Sequence, residues 1–227
     1  ARNHHFKLVL LWFGSWKNSM SSHAPALVKL DQKRFPRALS ESGASQEILT
    51  PFSENNLRAD QHAYGNLLKH IKEVDAVQQT VILMQPENEI GMLPSARDYH
   101  PLATTKFTED VPSELIRYIQ KNKEKLNPEF LKIWTTNGQK TKGNWETIFG
   151  KGLHTDEIFM AYYFARFTEQ VCSTGKQAYA LPAYVNAALN RPGRKPGDYP
   201  SAGPLPHVLD LWRAAAPSID FYSPDFY

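Results

Sequence analysis

The residues that follow the apolar run 81–84 are the most chemically distinctive part of the sequence. Segment 85–89 reads Gln-Pro-Glu-Asn-Glu and places two carboxylates and an amide at the open end of what the run predicts to be a buried strand. Each charge costs several kcal/mol in lost hydration there unless it is partnered or used. One interpretation is a helix cap or a salt bridge beside a loop, and the other is a catalytic acid. If strand alternation continues to the tip, Glu87 and Glu89 point to one side and Asn88 to the other.

Polar and aromatic side chains also follow the other apolar runs of the sequence. These runs predict strands at residues 7–16, 80–85, 178–187 and 218–227. The candidate ligand-contacting residues near their ends, besides segment 85–89, are Trp16 and Asn18, Tyr184 and Asn186, and Asp225 and Tyr227. For each of them, packing or support of a loop is an equal alternative.

Helical spacing of apolar residues separates these strands. It predicts helices at residues 55–77, 156–173 and 206–215, and a further helix at 113–123 inside an insertion of about 92–154. The resulting β-α-β-α-β-α-β order indicates parallel strands with right-handed connections in one α/β domain, either a doubly wound sheet or a (β/α)8 barrel. In a barrel, the polar strand ends would share the active-site face.

Composition excludes several classes of protein. Lysine and arginine exceed aspartate and glutamate only by 26 to 23, too small a surplus for a surface that neutralises many phosphates, so no nucleic-acid partner is expected. The single cysteine, Cys172, cannot form an internal disulfide or a thiolate zinc site. The longest apolar run, residues 8–13, is far shorter than the roughly 20 residues of a membrane span. The eight histidines form no His-Glu-Xaa-Xaa-His pattern, and phosphate-loop and Gly-Xaa-Ser-Xaa-Gly motifs are absent, so no metal or organic cofactor is expected.

The tryptophans have different predicted roles. Trp212 lies at helical spacing and is predicted to be core. Trp16, just past the first strand, is either a wall for a sugar ring or part of a packed loop, because rigid aromatic faces serve both purposes. Trp134 and Trp145 belong to the insertion, where local packing is the preferred interpretation and an entrance wall is the alternative.

Four segments of the chain resemble the catalytic barrel of glycoside hydrolase family 35, the β-galactosidase family, in its bacterial branch. Segment 8–18, Leu-Val-Leu-Leu-Trp-Phe-Gly-Ser-Trp-Lys-Asn, resembles the family's third strand, and segment 85–91, Gln-Pro-Glu-Asn-Glu-Ile-Gly, resembles its fourth. Segments 184–194 and 218–227 resemble its fifth and sixth strands. The resemblance implies a partial (β/α)8 TIM barrel, about strands three to six with their helices, so that residues 1–227 form a single incomplete glycosidase catalytic domain.

The resemblance also implies roles for individual residues. In the wider clan of retaining barrel glycosidases, the glutamate after the fourth strand is the general acid/base and the asparagine before it contacts the sugar 2-hydroxyl. These roles fall on Glu89 and Asn88. The nucleophile of the clan is a glutamate after the seventh strand, and no residue here inherits that role. Tyr227 would orient the nucleophile by a hydrogen bond, and Glu87 would be a supporting partner.

The implied activity is that of a retaining β-galactosidase that removes terminal galactose from β-galactoside oligosaccharides or polysaccharide side chains. Such enzymes need no cofactor and act in the periplasm or outside the cell. The first residue is not Met and both ends lie in or near strand patterns, so we expect a truncated chain that is inactive alone. Two alternatives stay open: another retaining β-glycosidase or endo-glycanase of the same clan, and a non-catalytic carbohydrate-binding partial barrel.

Overall fold

The computed structural model describes residues 1–190 and 193–225 as a mixed α/β chain. Its strands are β1 (Leu8–Trp12), β2 (Arg37–Leu39), β3 (Ser45–Leu49), β4 (Val81–Pro86), β5 (Tyr184–Ala187) and β6 (Phe221–Pro224). Its α-helices are α1 (Ala26–Leu30), α2 (Glu54–Asp75), α3 (Pro101–Thr108), α4 (Ser113–Lys121), α5 (Pro128–Thr136), α6 (Trp145–Phe149), α7 (Leu153–Ala178) and α8 (Leu209–Ala215). Short 3-10 turns lie at Arg2–His4, Lys123–Lys125 and Pro206–Val208.

Four parallel strands position the polar strand ends. β1 pairs with β4, β5 pairs with β6, and an isolated parallel bridge between Met84 and Ala183 connects the two pairs. Beside that bridge, the Met84 amide donates to the carbonyl oxygen of Pro182 at 3.0 Å. The four predicted strands are therefore present and parallel, but they are shorter than predicted, and the third covers only Tyr184–Ala187 because α7 continues to Ala178. Within the described part of the chain they form small sheets and no closed barrel.

An additional strand pair lies between β1 and α2, where the apolar pattern predicts no strand. β2 and β3 pair antiparallel, with Arg37 opposite Leu49. The Arg37 side chain is buried and donates to the carbonyl oxygen of Glu47. β3 begins with Ser-Gln-Glu, and such a polar start lacks the apolar run or alternation by which a buried strand is recognised.

The insertion contains four helices, α3 to α6, instead of the one predicted at 113–123. The starts of α5 and α6 carry side-chain caps, since Asn127 accepts from the Glu129 amide at 2.8 Å and Asn144 accepts from the Thr147 amide at 2.9 Å. These caps are sequence signals that apolar periodicity alone overlooks. None of the helices in the described residues has an apolar segment long enough to cross a membrane.

The helices α2 and α7 pack closely against each other and next to the parallel strands. Tyr64 of α2 lies against Gly175 of α7 and 5.7 Å, between ring centroids, from Trp12 of β1. Cys172 of α7 is fully buried, and burial raises the pKa of its thiol to about 12. The central core therefore forms where these two helices meet β1.

The buried tryptophans support the packing interpretation. Trp212 is 0% exposed, as its helical spacing predicts. Trp145 is also 0% exposed and contacts the Phe159 ring edge-on at 5.3 Å, and Trp134 is 2% exposed. The insertion tryptophans therefore pack locally and do not line an entrance.

A buried carboxylate on α7 fixes the long loop that follows β5. Glu157 is 1% exposed and accepts hydrogen bonds from the Tyr199 hydroxyl at 2.9 and 3.0 Å and from the Ala202 amide at 3.1 Å. The Nε2 atom of His207 lies 2.9 Å from the same carboxylate. Charge-assisted contacts of this kind are among the stronger ones available to a loop.

We expect Gly175→Ala to lower the free energy of unfolding. A Cβ at position 175 would lie 2.3 Å from Cε1 and 2.7 Å from Cδ1 of the buried Tyr64 ring, and overpacking of this kind costs about 1–3 kcal/mol. The matched control is Gly65→Ala, whose Cβ meets only Cγ2 of Thr174, at 3.2 Å. Both positions gain about 1 kcal/mol in helix propensity, which offsets the mild contact at position 65 but not the severe one at position 175. Urea unfolding measures both variants, and equal stabilities would contradict this packing.

His207 gives the folding free energy a pH dependence of defined sign. Burial lowers the pKa of its imidazole, but the hydrogen bond to Glu157 and the charge of Glu157 outweigh burial and raise the pKa above 6.5. The folded chain therefore binds this proton more tightly than the unfolded chain, so the contribution is complete below pH 6.5 and is lost as pH rises through the folded-state pKa. His207→Gln should flatten the Tm profile in that window. Exposed His70→Gln is the control, and a wild-type profile in His207→Gln would contradict the prediction.

Candidate active site

The backbone turns sharply where β4 ends. Glu87 and Glu89 have φ angles of 63° and 43°, in the left-handed region that non-glycine residues rarely adopt. The strand alternation assumed for this tip therefore fails, because the left-handed residues send the two carboxylates in different directions. Glu87 is 1% exposed and points into the protein, whereas Glu89 is half-buried. We refer to residues 87–89 as the β4 tip.

Glu87 is held in the interior by the loop that follows β1, residues 13–17. Its carboxyl oxygens accept from the backbone amides of Ser15 at 3.3 Å and Trp16 at 2.8 Å. Burial, followed by the charge and hydrogen bond of Asp60 on α2, raises its pKa well above the usual range. Glu87 therefore lies beneath the β4 tip, and its role as a supporting partner stays a prediction.

Asn88 is 8% exposed, and hydrogen bonds fix both ends of its amide. Its Oδ1 atom accepts from Gln85 Nε2 at 2.7 Å and from Asn186 Nδ2 at 3.1 Å. Its Nδ2 atom donates to the carbonyl oxygen of Lys17 at 2.8 Å, and its backbone amide donates to that of Trp16 at 3.3 Å. The side chain therefore has a single orientation set by three strand ends.

Asn186, at the end of β5, connects the β4 tip to β6. Its Oδ1 atom accepts from the Glu89 amide at 2.9 Å, and its Nδ2 atom donates to the two carboxylate oxygens of Asp225 at 3.1 and 3.0 Å. Asn186 is 7% exposed. One amide thereby fixes the backbone of Glu89 and the carboxylate that lies beside it.

Glu89 and Asp225 form a carboxyl pair at the mouth of the site. Burial raises the pKa of Asp225 most, the hydrogen bond from Asn186 lowers it, and the hydrogen bond and charge of Glu89 raise it further. The Asp225 carboxyl therefore binds its proton more tightly than a carboxyl group in water.

The other candidate residues have different positions. Trp16 is 0% exposed and packs edge-on against Phe164 and Phe167 at 5.3 and 4.9 Å, so the sugar-wall prediction is corrected: only its backbone reaches the β4 tip. The Oδ1 atom of Asn18 accepts from the Met20 amide at 2.9 Å, which closes its own turn. Tyr184 is half-buried and stacks on Phe221 at 5.2 Å. Its pKa is raised by burial and by the charge of Asp225, so it lies near the carboxyl pair. Tyr227 lies outside the described residues.

Asp60 is a buried neighbour of the β4 tip that the sequence pattern did not single out. It is 5% exposed and accepts from Trp12 Nε1 at 2.7 Å and from the Ser15 hydroxyl at 2.6 Å. A signal was present, because Asp60 stands at helical spacing between Leu57 and Tyr64, on the apolar stripe of α2. A carboxylate on an apolar stripe requires a buried partner. Within the described residues, no three His, Cys, Asp or Glu side chains are grouped as metal ligands.

Comparison with solved structures gives the class of fold to which this geometry belongs. The β-galactosidase from Rahnella sp. R3 matches with a TM-score of 0.54 at 18% identity over 100% of this chain and 30% of its own. The β-galactosidase from Marinomonas ef1 matches with a TM-score of 0.55 at 11% identity, over 100% of this chain and 31% of its own. The catalytic domain of β-amylase from Paenibacillus polymyxa matches with a TM-score of 0.51 at 12% identity, over 97% of this chain and 61% of its own.

These structures are glycoside hydrolases, and the chain shares their barrel-like fold at low sequence identity. No protein-family model and no curated protein sequence matches the chain. The chain spans about 30% of the length of the β-galactosidases it resembles. The likeness therefore concerns the fold alone.

We expect Asn186→Ala to destabilise the chain, because it removes the acceptor of the Glu89 amide and a donor to Asn88 and Asp225. Leaving such buried partners unmatched costs about 1–3 kcal/mol. The matched control is Asn66→Ala on the exposed face of α2, for which about 0.5 kcal/mol or less is expected. Chemical denaturation measures both, and an Asn186→Ala variant as stable as Asn66→Ala would contradict the network.

Proposed function

We propose that this chain supplies the acid/base half of a retaining β-glycosidase active site, of the β-galactosidase type, within a partial (β/α)8 barrel of about strands three to six. The observation that carries the proposal is the placement of Glu89 at the end of β4. It is half-buried, its backbone is fixed by Asn186, and it lies next to the oriented amide of Asn88. Parallel strand ends are where barrel enzymes place catalytic groups.

In the proposed first step, Glu89 gives its proton to the oxygen that bridges the two sugars. The bond from that oxygen to the anomeric carbon breaks, and a nucleophilic carboxylate attacks the same carbon through an oxocarbenium-like state. In the second step, Glu89 takes a proton from water, the water oxygen bonds to the anomeric carbon, and the nucleophile leaves. Asn88 holds the sugar 2-hydroxyl in both steps.

Asp225 does not serve as the nucleophile in this proposal. Retaining enzymes separate the acid and the nucleophile by about 5–5.5 Å, so that a sugar fits between them. Asp225 is instead held beside Glu89, because the side-chain amide of Asn186 binds both the Glu89 backbone and the Asp225 carboxylate, and we infer that no anomeric carbon fits between them. We assign the nucleophile to a glutamate on a later strand, outside these residues, and give Asp225 the role of orienting Glu89 before substrate binds.

The substrate class rests on the sequence resemblance and not on the fold. Both β-galactosidases and a β-amylase share the fold at similar TM-scores. The segments that resemble family 35 favour a terminal β-galactoside of an oligosaccharide or polysaccharide side chain, met in the periplasm or outside the cell. Another β-glycosidase or an endo-glycanase of the same clan is the alternative that substrate screening would reveal.

We expect Glu89→Gln in the full-length protein to lose hydrolysis of natural disaccharides by about 10²–10⁴-fold, because the leaving oxygen is no longer protonated. An activated aryl galactoside needs little protonation, so its first step should survive and the glycosyl-enzyme should accumulate as a burst. The control is Glu73→Gln, on the exposed surface of α2. Unchanged turnover of disaccharides by Glu89→Gln would refute the acid/base role, and absence of turnover in the wild type would favour a non-catalytic carbohydrate-binding domain.

A further inference from the structure

A second carboxyl pair lies directly beneath the β4 tip. Asp60 of α2 and Glu87 lie side by side and are 5% and 1% exposed. Both also contact the same backbone amide, since Ser15 N–H lies 3.1 Å from Asp60 Oδ2 and 3.3 Å from Glu87 Oε1. Two ionised carboxylates buried side by side repel each other, and a proton held between them removes that repulsion.

The hydrogen-bond donors indicate which carboxyl holds that proton. Asp60 accepts from Trp12 Nε1–H, from the Ser15 amide and from the Ser15 hydroxyl, at 2.7, 3.1 and 2.6 Å. Glu87 accepts only backbone amides among the contacts described, from Ser15 and Trp16. More and shorter donors stabilise the charge on Asp60, which leaves Glu87 as the protonated member that donates to Asp60.

The same loop that supplies these donors also holds the catalytic amide. The carbonyl oxygens of Trp16 and Lys17 accept from the backbone and side chain of Asn88 at 3.3 and 2.8 Å. The loop is packed tightly: a Cβ added at Gly14 would lie 2.4 Å from Asp60 Oδ1. The amides of the loop thus face the carboxyl pair and its carbonyls face Asn88.

We propose that Asp60 and Glu87 form a one-proton carboxyl pair, with Asp60 ionised and Glu87 protonated, that acts as a positioning device for Asn88 and Glu89. The pair fixes the loop 13–17 from below, and the loop fixes the β4 tip from the side. Neither carboxyl touches substrate. This inference rests on the proposed function, because the residues it positions are those assigned to the glycosidase site.

The surroundings of the pair are consistent with this assignment. Tyr64, one turn along α2 from Asp60, has its pKa raised by burial, by the Cys172 thiol on α7 and by both carboxyls. Tyr64 and Cys172 are both neutral at physiological pH because burial raises both pKa values, so neither gives the pair a positive charge. A proton between the carboxyls neutralises the pair instead.

The first test compares Glu87→Gln with Glu87→Ala in the full-length protein. A glutamine keeps one donor for Asp60 and one acceptor for the Trp16 amide, so its kcat should fall by less than about tenfold, whereas alanine should lose about 10²-fold through misplacement of the acid. Asp60→Asn should lower kcat as much as Glu87→Ala does. The asparagine amide nitrogen would face the hydrogen-bond donors of Trp12 or Ser15 and could not accept from them. A Glu87→Gln variant as impaired as Glu87→Ala would overturn the assignment of the proton.

The second test separates positioning from a general loss of stability. If Glu89 is misplaced, the loss in Glu87→Ala must grow as the aryl leaving group becomes poorer, because only poor leaving groups need the acid. Gly14→Ala, which displaces the loop without removing a carboxyl, should give the same dependence. Asp98→Asn removes another fully buried carboxyl, next to β2, and should leave the dependence of activity on the leaving group as in the wild type. Equal losses for all leaving groups would contradict a positioning role.

The third test does not depend on activity. A protonated buried carboxyl gives an infrared carbonyl band that shifts in heavy water, and Glu87→Gln should remove this band at neutral pH while Glu89→Gln and Asp98→Asn do not remove the same band. If the wild type is no glycosidase but the band is lost in Glu87→Gln, the proposed function fails and the one-proton pair stands. If no band is lost, the pair is refuted whatever the activity.

Discussion

The contact between Asp60 and Glu87 is the constraint on which the site geometry depends. Carboxyl groups that meet in a dry interior require both a proton and a set of donors, and here the donors come from the loop after β1. The helix α2, the loop and the β4 tip are therefore connected through one small polar cluster. This buried cluster therefore positions the residues of the β4 tip through the hydrogen bonds of the loop.

The β4 tip places its two glutamates in different environments within three residues. Its first carboxylate is buried in the interior and its last is half-buried at the surface, although only one residue separates them in sequence. Left-handed φ angles at Glu87 and Glu89 make this possible at an energetic cost of order 1–3 kcal/mol each. The hydrogen bonds of Asn88 and Asn186 hold the strained segment in place. Backbone strain of this kind is concentrated at sites where the surrounding structure fixes a particular geometry.

The sequence predicts much of this architecture because its signals are local. Continuous apolar runs identify β1, β4, β5 and β6, and spacing identifies α2, α7 and α8. The directions of the Glu87 and Glu89 side chains could not be predicted, because they depend on positive φ angles. Glycine is the usual sequence signal for such angles, and both positions carry glutamate. The burial of Trp16 depends on the distant rings of Phe164 and Phe167. Asp60 was readable as a carboxylate on an apolar stripe, but its partner is 27 positions away (87 − 60) and only the fold brings them together.

The single thiol of the chain lies at the α2–α7 contact, and this has a practical consequence. With a pKa of about 12 and no exposed surface, Cys172 is inert to alkylating reagents while the helix stays docked. Its labelling can proceed only when α7 separates from its neighbours, so the rate of modification reports how often that opening occurs. The labelling rate of this one native thiol therefore measures how stably α7 is packed in the core.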